Sequence, residues 1–237
     1  MFRIKLADLI IRIGTLYDDT LFMCREYLFE ESGKSDLVVE TSQADIDRER
    51  ELDKLGDFGD GYYETLAVYR KIAEELPRFG RLLVHGSAVA LGGRAFLFMA
   101  PSGTGKSTHA RWWRTEFAAE EPFMVNDDKP ILRVTGEGAS IDGTPWDGKE
   151  RLSTNVCVPL AGIGLLERAE QDSAEPLDGS VAFTKLLSHS YRPVGAEAMR
   201  ETLGALQRLS QQVPLWRVRV TNTGHAAHVT RAAMAGV

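Results

Sequence analysis

The chain has 237 residues, of which 43% are hydrophobic and 26% are charged. This composition is ordinary for a globular protein, and the length suits one large domain or one domain with a small appendage. The formal net charge of −6 offers no basic stripe for phosphate backbones, so no nucleic-acid partner is expected.

The N-terminus and the cysteines argue against secretion and membrane insertion. Residues 1–14 are apolar but carry Arg3, Lys5, Asp8 and Arg12, which a signal peptide would not tolerate in its apolar core. No stretch reaches the roughly 18 uncharged apolar residues of a membrane helix. Two cysteines form no disulfide framework, and both are expected to be buried thiols in a reducing compartment. The expected location is the cytoplasm, with no membrane partner.

The first third of the chain mixes strand and helix patterns and carries no chemical motif. Residues 2–13 and 36–40 have the alternation of strands. Residues 43–55 are highly charged and predict a surface helix, and residues 62–76 have helical apolar spacing that Pro77 ends. A small N-terminal α+β region over residues 1–80 is therefore expected.

A different organisation begins near Arg81. Residues 82–91 predict a strand, and Gly92-Gly93 after it predicts a hairpin turn. Residues 95–100 are continuously apolar, which favours a central strand buried on both faces. The remaining predicted elements are a helix at 106–117, strands at 123–125, 131–134, 139–142, 160–166 and 215–220, and helices at 180–188, 196–212 and 226–235. The fold class is α/β with a mixed sheet, and the second domain covers residues 81–237.

The residues after the central strand read Ala-Pro-Ser-Gly-Thr-Gly-Lys-Ser and match a P-loop, which binds nucleotide phosphates. Gly103 and Gly105 permit a tight turn whose backbone N–H groups approach the phosphates, and the helix N-terminus adds partial positive charge. Lys106 is expected at the β- and γ-phosphates, and the Ser107 hydroxyl on Mg²⁺. The predicted ATP-contacting residues are Ser102, Gly103, Thr104, Gly105, Lys106, Ser107 and Thr108.

One position departs from the strict motif, because Ala100 stands where a glycine is usual. Alanine fits there if its φ is negative. The competing interpretation, a glycine turn beside a solvated lysine, does not explain why a strand precedes the turn and a helix follows it.

A second motif, which is acidic, lies 20 residues beyond Ser107, where Asp127 and Asp128 end a short predicted strand. A strand-terminal acid beside the P-loop strand is where a P-loop enzyme holds Mg²⁺. Two adjacent carboxylates suggest that one orients the metal and the other accepts a proton from an attacking hydroxyl. The alternative is a turn, since Asn-Asp-Asp also bends chains.

Other candidates are ambiguous from sequence alone. A single histidine near a strand end, such as His85, is compatible with structural and catalytic roles. Trp146 suits base stacking or core packing, and Lys149 suits charge neutralisation or solvent exposure. His225 and His228 lie three apart on a predicted helix without a third ligand, so no metal site is assigned to them.

Taken together, these motifs resemble a known family. The string Val-His-Gly-Ser-Ala-Val at 84–89, the P-loop and Val-Asn-Asp-Asp at 125–128 resemble the catalytic core of HPr kinase/phosphorylase. They are also similar to the nucleotide site of ATP-dependent phosphoenolpyruvate carboxykinase. The resemblance covers residues 80–170 well, and segments 143–149 and 158–163 resemble smaller HPr-kinase-like serine kinases.

The resemblance implies a mixed-sheet P-loop core of that type and assigns roles to single residues. His85 would be the site histidine, Lys106 the phosphate lysine and Ser107 a Mg²⁺ ligand. Asp128 would be the base that activates a serine hydroxyl, and Asp127 would assist the metal. HPr kinases assemble as hexamers, so a homo-oligomer is an option.

The chain also departs from these relatives. Residues 1–80 do not look like the HPr kinase N-terminal domain, and Thr108 stands where that family has an acidic residue. The chain is less than half as long as a phosphoenolpyruvate carboxykinase, so decarboxylation is not expected.

Three functions follow as hypotheses. The first is an ATP-dependent kinase that transfers the γ-phosphoryl group to a hydroxyl, with a serine of a peptide or protein favoured. The second is a nucleotide-dependent scaffold that delivers a peptide to a partner enzyme, and the third is a small-molecule kinase. Binding alone needs only one acid for Mg²⁺, so the acidic pair favours transfer over mere binding.

Overall fold

The computed structural model describes residues 1–31, 33–53, 56 and 58–236. The chain divides into two compact units, Met1–Leu76 and Pro77–Val237. In the described residues no helix has the length and apolar character needed to cross a membrane.

The first unit contains a small sheet with helices. Its strands are β1 (Phe2–Leu6), β2 (Leu9–Gly14) and β3 (Leu37–Glu40), and its helices are α1 (Asp19–Met23), α2 (Gln43–Leu52) and α3 (Asp60–Glu75). Strand β2 lies in the middle, antiparallel to β1 and parallel to β3.

The prediction of one continuous strand over residues 2–13 is wrong. The segment is a hairpin, because Ala7 and Asp8 take φ values of 49° and 61° and reverse the chain between β1 and β2. Two-residue hairpin turns need positive φ at both central residues, and sequences normally signal this with glycine or asparagine. The alanine here gives no such signal.

A buried carboxylate ties two loops of this unit together. Glu64 on α3 is fully buried and accepts hydrogen bonds from the backbone N–H of Leu16 (2.7 Å), the backbone N–H of Tyr17 (2.9 Å) and the hydroxyl of Thr41 (2.5 Å). Because its oxygens satisfy two backbone donors, the side chain fixes how the chain leaves β2 and β3.

Replacing Glu64 with leucine is expected to lower the free energy of unfolding by about 2–4 kcal/mol, because two backbone N–H groups and the Thr41 hydroxyl lose a charged acceptor. Urea unfolding of the full chain measures this. Glu51→Gln, on an exposed position of α2, is the control and should change stability by less than about 0.5 kcal/mol. Equal stability of the Glu64 variant and the control would contradict the assigned role.

The second unit is a mixed sheet with helices on both faces. The strands are β4 (Arg81–Leu83), β5 (Ser87–Leu91), β6 (Arg94–Met99), β7 (Phe123–Asn126), β8 (Ile131–Val134), β9 (Ala139–Asp142), β10 (Cys157–Arg168), β11 (Ser173–Pro176) and β12 (Leu215–Val220). The helices are α4 (Lys106–Glu116), α5 (Gly179–Ser188), α6 (Ala196–Gln212) and α7 (Gly224–Ala235). In the described residues the order is β4-β8-β9-β10-β6-β5-β7, and β12 joins β10 to β11.

Strand β6 is the central strand, as its apolar run predicts. Ala95, Leu97 and Met99 pack into one core with side chains of α5 and α6. Phe96 and Phe98 pack into the other core with α4 and α7, including Trp113. A strand covered on both faces must be apolar at every position, which is why the run is continuous.

The strand directions bring several chain ends to one edge of the sheet. Strand β10 runs parallel to both β6 and β12. Strand β5 is antiparallel to β6 and to β7, so β7 points the same way as β6. The carboxyl ends of β6, β7, β10 and β12 therefore meet at the edge where β5 begins.

The predicted strand over residues 82–91 is interrupted. It forms β4 and β5, because the N–H of His85 donates to His189 O (2.8 Å) and the N–H of Gly86 donates to Asp128 O (3.0 Å). Gly86 also leaves no room for a side chain, since a Cβ would lie 2.9 Å from Phe98 O. The break places His85 at the sheet edge.

The two cysteines differ in environment. Cys24 is buried as predicted, and burial raises the pKa of its thiol to about 12. Cys157 is exposed at the start of β10, so the prediction of two buried thiols is wrong. Cys157 pairs with the short strand β9, and the pairing of β10 with β6 and β12 begins further along, at Leu160 and Ile163.

Candidate functional site

A glycine loop, defined here as residues 100–107, connects β6 to α4. Gly103 and Gly105 have φ values of 78° and 115°, which non-glycine residues rarely adopt, and α4 begins directly after Gly105. Ala100 is buried and does not have a positive φ, so alanine is tolerated at this position. The loop and the helix N-terminus have the form that favours bound anions.

Helix α4 is fixed beneath the loop by contacts with α7. The Nε1 of Trp113 donates to Thr230 Oγ1 at 2.9 Å, and His109 Nε2 contacts the same oxygen at 3.1 Å. Burial lowers the pKa of His109 to about 4, so this imidazole is neutral. The start of α4 therefore has a fixed direction.

Lys106 folds back over the loop. Its Nζ donates to Ala100 O at 2.9 Å and to Pro101 O at 3.4 Å, and the side chain is buried. Burial lowers its pKa, and the charge of Asp128 opposes that shift. The glycine loop follows β6 and Asp128 follows β7, so both lie at the same end of the sheet.

The hydroxyl side chains of the loop and of the first turn of α4 have two environments. Ser102 and Ser107 are exposed, whereas Thr104 and Thr108 are half-buried. Serine and threonine hydroxyls at the first turn of such a helix are available to a phosphate oxygen or its cation. Ser107 is the exposed hydroxyl at that first turn.

The Asp128 carboxylate contacts the side chains of two residues, His85 and Lys129. His85 Nε2 and Lys129 Nζ each lie 3.2 Å from Asp128 Oδ1. Burial acts to raise the pKa of this carboxyl, but the His85 hydrogen bond and the Lys129 charge outweigh it and lower the pKa. Asp128 is therefore ionised at neutral pH.

Asn126 sets the direction of Asp128. Its side chain is fully buried, and Oδ1 accepts from the backbone N–H of Asp128 (2.9 Å) and of Lys129 (2.6 Å). Its Nδ2 donates to Thr144 O at 3.1 Å. The asparagine of the Asn-Asp-Asp motif thus stabilises the turn after β7, and this turn determines the position of Asp128.

Asp127 faces a different group. Its Oδ1 accepts from the backbone N–H of Gly148 at 2.6 Å, and a Cβ on Gly148 would lie 2.7 Å from Asp127 Oδ2. Burial raises the pKa of Asp127, and the nearby Asp147 adds to the shift. Position 148 therefore requires glycine, because the Asp127 carboxylate approaches its backbone closely.

The structure places the remaining candidates, Trp146, Lys149 and the two histidines of α7, in different environments. Trp146 is buried, so it packs into the protein and is not available for base stacking. Lys149 is exposed at the tip of the same loop. His228 pairs with Glu116 at 3.0 Å and His225 pairs with Asp172 at 2.8 Å. The two histidines of α7 therefore contact different partners.

No sequence pattern points to His189 as a site residue. It lies at the end of α5, and its carbonyl accepts from the N–H of His85. Burial and the charges of His85, Lys106 and Lys185 lower its pKa to about 4, so it is neutral. The bridge between Val84 and Ser190 and the hydrogen bond from His85 N–H bring this residue to the site.

Comparisons with known proteins give a distant structural likeness and no match in sequence. No protein-family model matches the sequence, and no curated protein matches it. Among solved structures, the Hpr(Ser) kinase/phosphatase from Coxiella burnetii is similar over 65% of this chain and 97% of that chain, with a TM-score of 0.39 and 10% identity. At that level of similarity we infer nothing about activity.

Proposed function

We propose that this protein is an ATP-dependent phosphotransferase that moves the γ-phosphoryl group to a hydroxyl, with a serine of a peptide or protein as the favoured acceptor. One observation carries the proposal: the glycine loop with Lys106 and the carboxylate pair of Asp127 and Asp128 meet at one sheet edge. This is the arrangement of a P-loop with its strand-terminal acids.

The residues present fit ATP and Mg²⁺. The glycine loop offers backbone N–H groups and Lys106 to phosphates. In the described residues no cluster of three or more His, Cys, Asp or Glu side chains could hold a metal alone. Mg²⁺ characteristically takes one or two protein oxygens and completes its shell with phosphate and water, so Ser107 and Asp127 suit it. Bound Mg²⁺ would neutralise charge on the phosphates.

Asp128 is the proposed base. It is ionised, and the hydrogen bond from His85 fixes the direction of its carboxylate. A carboxylate with a lowered pKa is a weak base, but phosphoryl transfer has a loose transition state in which the hydroxyl proton need not leave early. Positioning of the hydroxyl then matters more than basicity.

Two other functions remain as alternatives. A nucleotide-dependent scaffold needs the loop and one acid, so it leaves the His85–Asp128 pair unexplained. A small-molecule kinase uses the same groups, and the described residues contain no feature that selects a small acceptor over a peptide.

The test is incubation of the protein with Mg²⁺, γ-labelled ATP and a library of serine peptides, followed by mass spectrometry. We expect an acid-stable label on a hydroxyl, none with α-labelled ATP, and unchanged transfer by the control variant Lys149→Ala. A parallel incubation replaces the peptide library with cell extract. A labelled metabolite there, with no labelled peptide in either incubation, would favour the small-molecule kinase. Tight ATP binding without any labelled acceptor would exclude transfer and favour the scaffold.

A further inference from the structure

The side of the glycine loop opposite Asp127 and Asp128 is bordered by the ends of β10 and β12. In the sheet order β7-β5-β6-β10-β12, the acids follow β7 on one side of β6. Arg168 ends β10 on the other side, and residues 221–223 follow β12. These groups have no part in phosphoryl transfer as proposed.

Both strand ends contact the loop directly. The guanidinium of Arg168 donates from Nη2 to Gly103 O at 2.7 Å and from Nε to Thr104 O at 3.2 Å. Asn222 lies so close to Gly105 that a Cβ there would be 2.6 Å from Asn222 Oδ1. Trp112 Nε1 donates to Asn222 O at 3.1 Å and holds this residue at its φ of 62°. The turn after β12 is therefore anchored against the loop.

The same turn holds an oriented histidine. The Asp172 side chain is 4% exposed and accepts from Thr221 N (2.7 Å), Thr221 Oγ1 (3.2 Å) and His225 Nδ1 (2.8 Å). Burial acts to raise the pKa of Asp172, but the hydrogen bonds from His225 and Thr221 together outweigh it and lower the pKa. Since an ionised carboxylate only accepts, Nδ1 carries the proton, and Nε2 of the 73% exposed imidazole is left for a ligand.

We infer that Arg168, Asn222 and the Asp172–His225 pair form the subsite for the ribose and base of the nucleotide, an inference that rests on the proposed function. Because the acidic pair directly follows β7, the reacting end of a bound triphosphate lies on the β7 side of the glycine loop. The nucleoside must then leave the loop towards β10 and β12. There His225 Nε2 meets a ribose hydroxyl, and the planar guanidinium of Arg168 suits the face of a base.

His228 provides a matched control on the same helix. It lies one turn after His225, and its Nε2 pairs with Glu116 of α4 while its ring packs edge-on against Phe117. Its side chain is 54% exposed, so it resembles His225 in accessibility but not in position. Removing it tests whether loss of any histidine of α7 has the same effect.

The experiment compares binding of ATP and of inorganic tripolyphosphate, each with Mg²⁺, by titration calorimetry of the full chain. For His225→Ala we expect ATP affinity to fall about 10-fold while tripolyphosphate affinity stays within about 2-fold. For His228→Ala both affinities should stay within about 2-fold of the unmodified protein. Asp172→Asn, which loosens the imidazole, should reproduce the loss for ATP alone.

The outcomes separate this inference from the function on which it rests. If the unmodified protein binds neither ligand, both are wrong. If it binds both ligands and His225→Ala changes neither affinity, the nucleoside subsite is wrong while phosphate binding stands. Equal loss of both affinities in His225→Ala would mean that the imidazole contacts phosphate, and would also overturn the subsite.

Discussion

Lys106→Ala is expected to lower kcat/KM for the proposed phosphoryl transfer by about 10³-fold or more, because a lysine in the proposed phosphate site would neutralise charge that develops on the moving phosphoryl group. The protein should stay folded. Lys106 is buried and its pKa is already lowered by burial, so the folded state gains little from its charge. We expect the free energy of unfolding to change by less than about 1 kcal/mol.

Initial rates with γ-labelled ATP and urea unfolding of the same preparation measure the two effects separately. Lys149→Ala is the matched control, since Lys149 is an exposed lysine on a loop beside the acidic pair. It should retain transfer within about 2-fold. A Lys106→Ala protein that keeps transfer within ten-fold of the unmodified protein would remove Lys106 from the phosphate site. Loss of fold together with activity would show that its bonds to Ala100 O and Pro101 O are structural.

Local patterns predicted much of the fold. The sequence predicts the continuous run of β6 and the helix over 196–212, because each element displays its own residue pattern, an unbroken apolar run in one and helical spacing in the other. The hairpin at Ala7 and Asp8 was missed because its turn lacks glycine. The break between β4 and β5 was missed because it arises from bonds to Asp128 and His189, distant in the chain.

The candidate site likewise contains some residues that local sequence patterns predict and others that they do not. The glycine loop and the Asp127-Asp128 motif are short strings, and the rule that like-directed strands end at one edge brings them together. His189 and the Asp172–His225 pair have no such string. Asp172 reaches His225 only because β12 pairs in parallel with β10 and the chain turns back through β11. Neither pairing is visible from residue types.

The structure also sharpens the difference between the two acids. Asp128 contacts His85 and Lys129, which hold it ionised, whereas Asp127 is buried against the backbone of Gly148. The burial that raises the pKa of Asp127 favours a neighbouring cation, because a bound Mg²⁺ would offset the cost of its buried charge. The two carboxylates are therefore not interchangeable.

Asp128→Asn is expected to lower kcat by about 10²-fold to 10⁴-fold, the usual contribution of a positioned proton acceptor, with little change in the Mg²⁺ concentration that gives half-maximal rate. Asparagine keeps the shape of the side chain and one acceptor oxygen, so His85 and Lys129 retain a partner. Asp127→Asn should act differently. It should raise the half-maximal Mg²⁺ concentration about 10-fold or more, and excess Mg²⁺ should recover part of the rate.

Rates measured over a Mg²⁺ titration at saturating ATP distinguish the two variants, because a metal ligand affects the titration midpoint and a base affects the plateau. Asp147→Asn serves as control, since Asp147 lies beside Asp127 but bonds to Ser153 at 3.1 Å. If Asp128→Asn shifts the midpoint and Asp127→Asn lowers only the plateau, the two roles are exchanged. If Asp128→Asn keeps the full plateau and midpoint, the hydroxyl needs no protein base, and the His85–Asp128 pair acts only to hold the turn that follows β7.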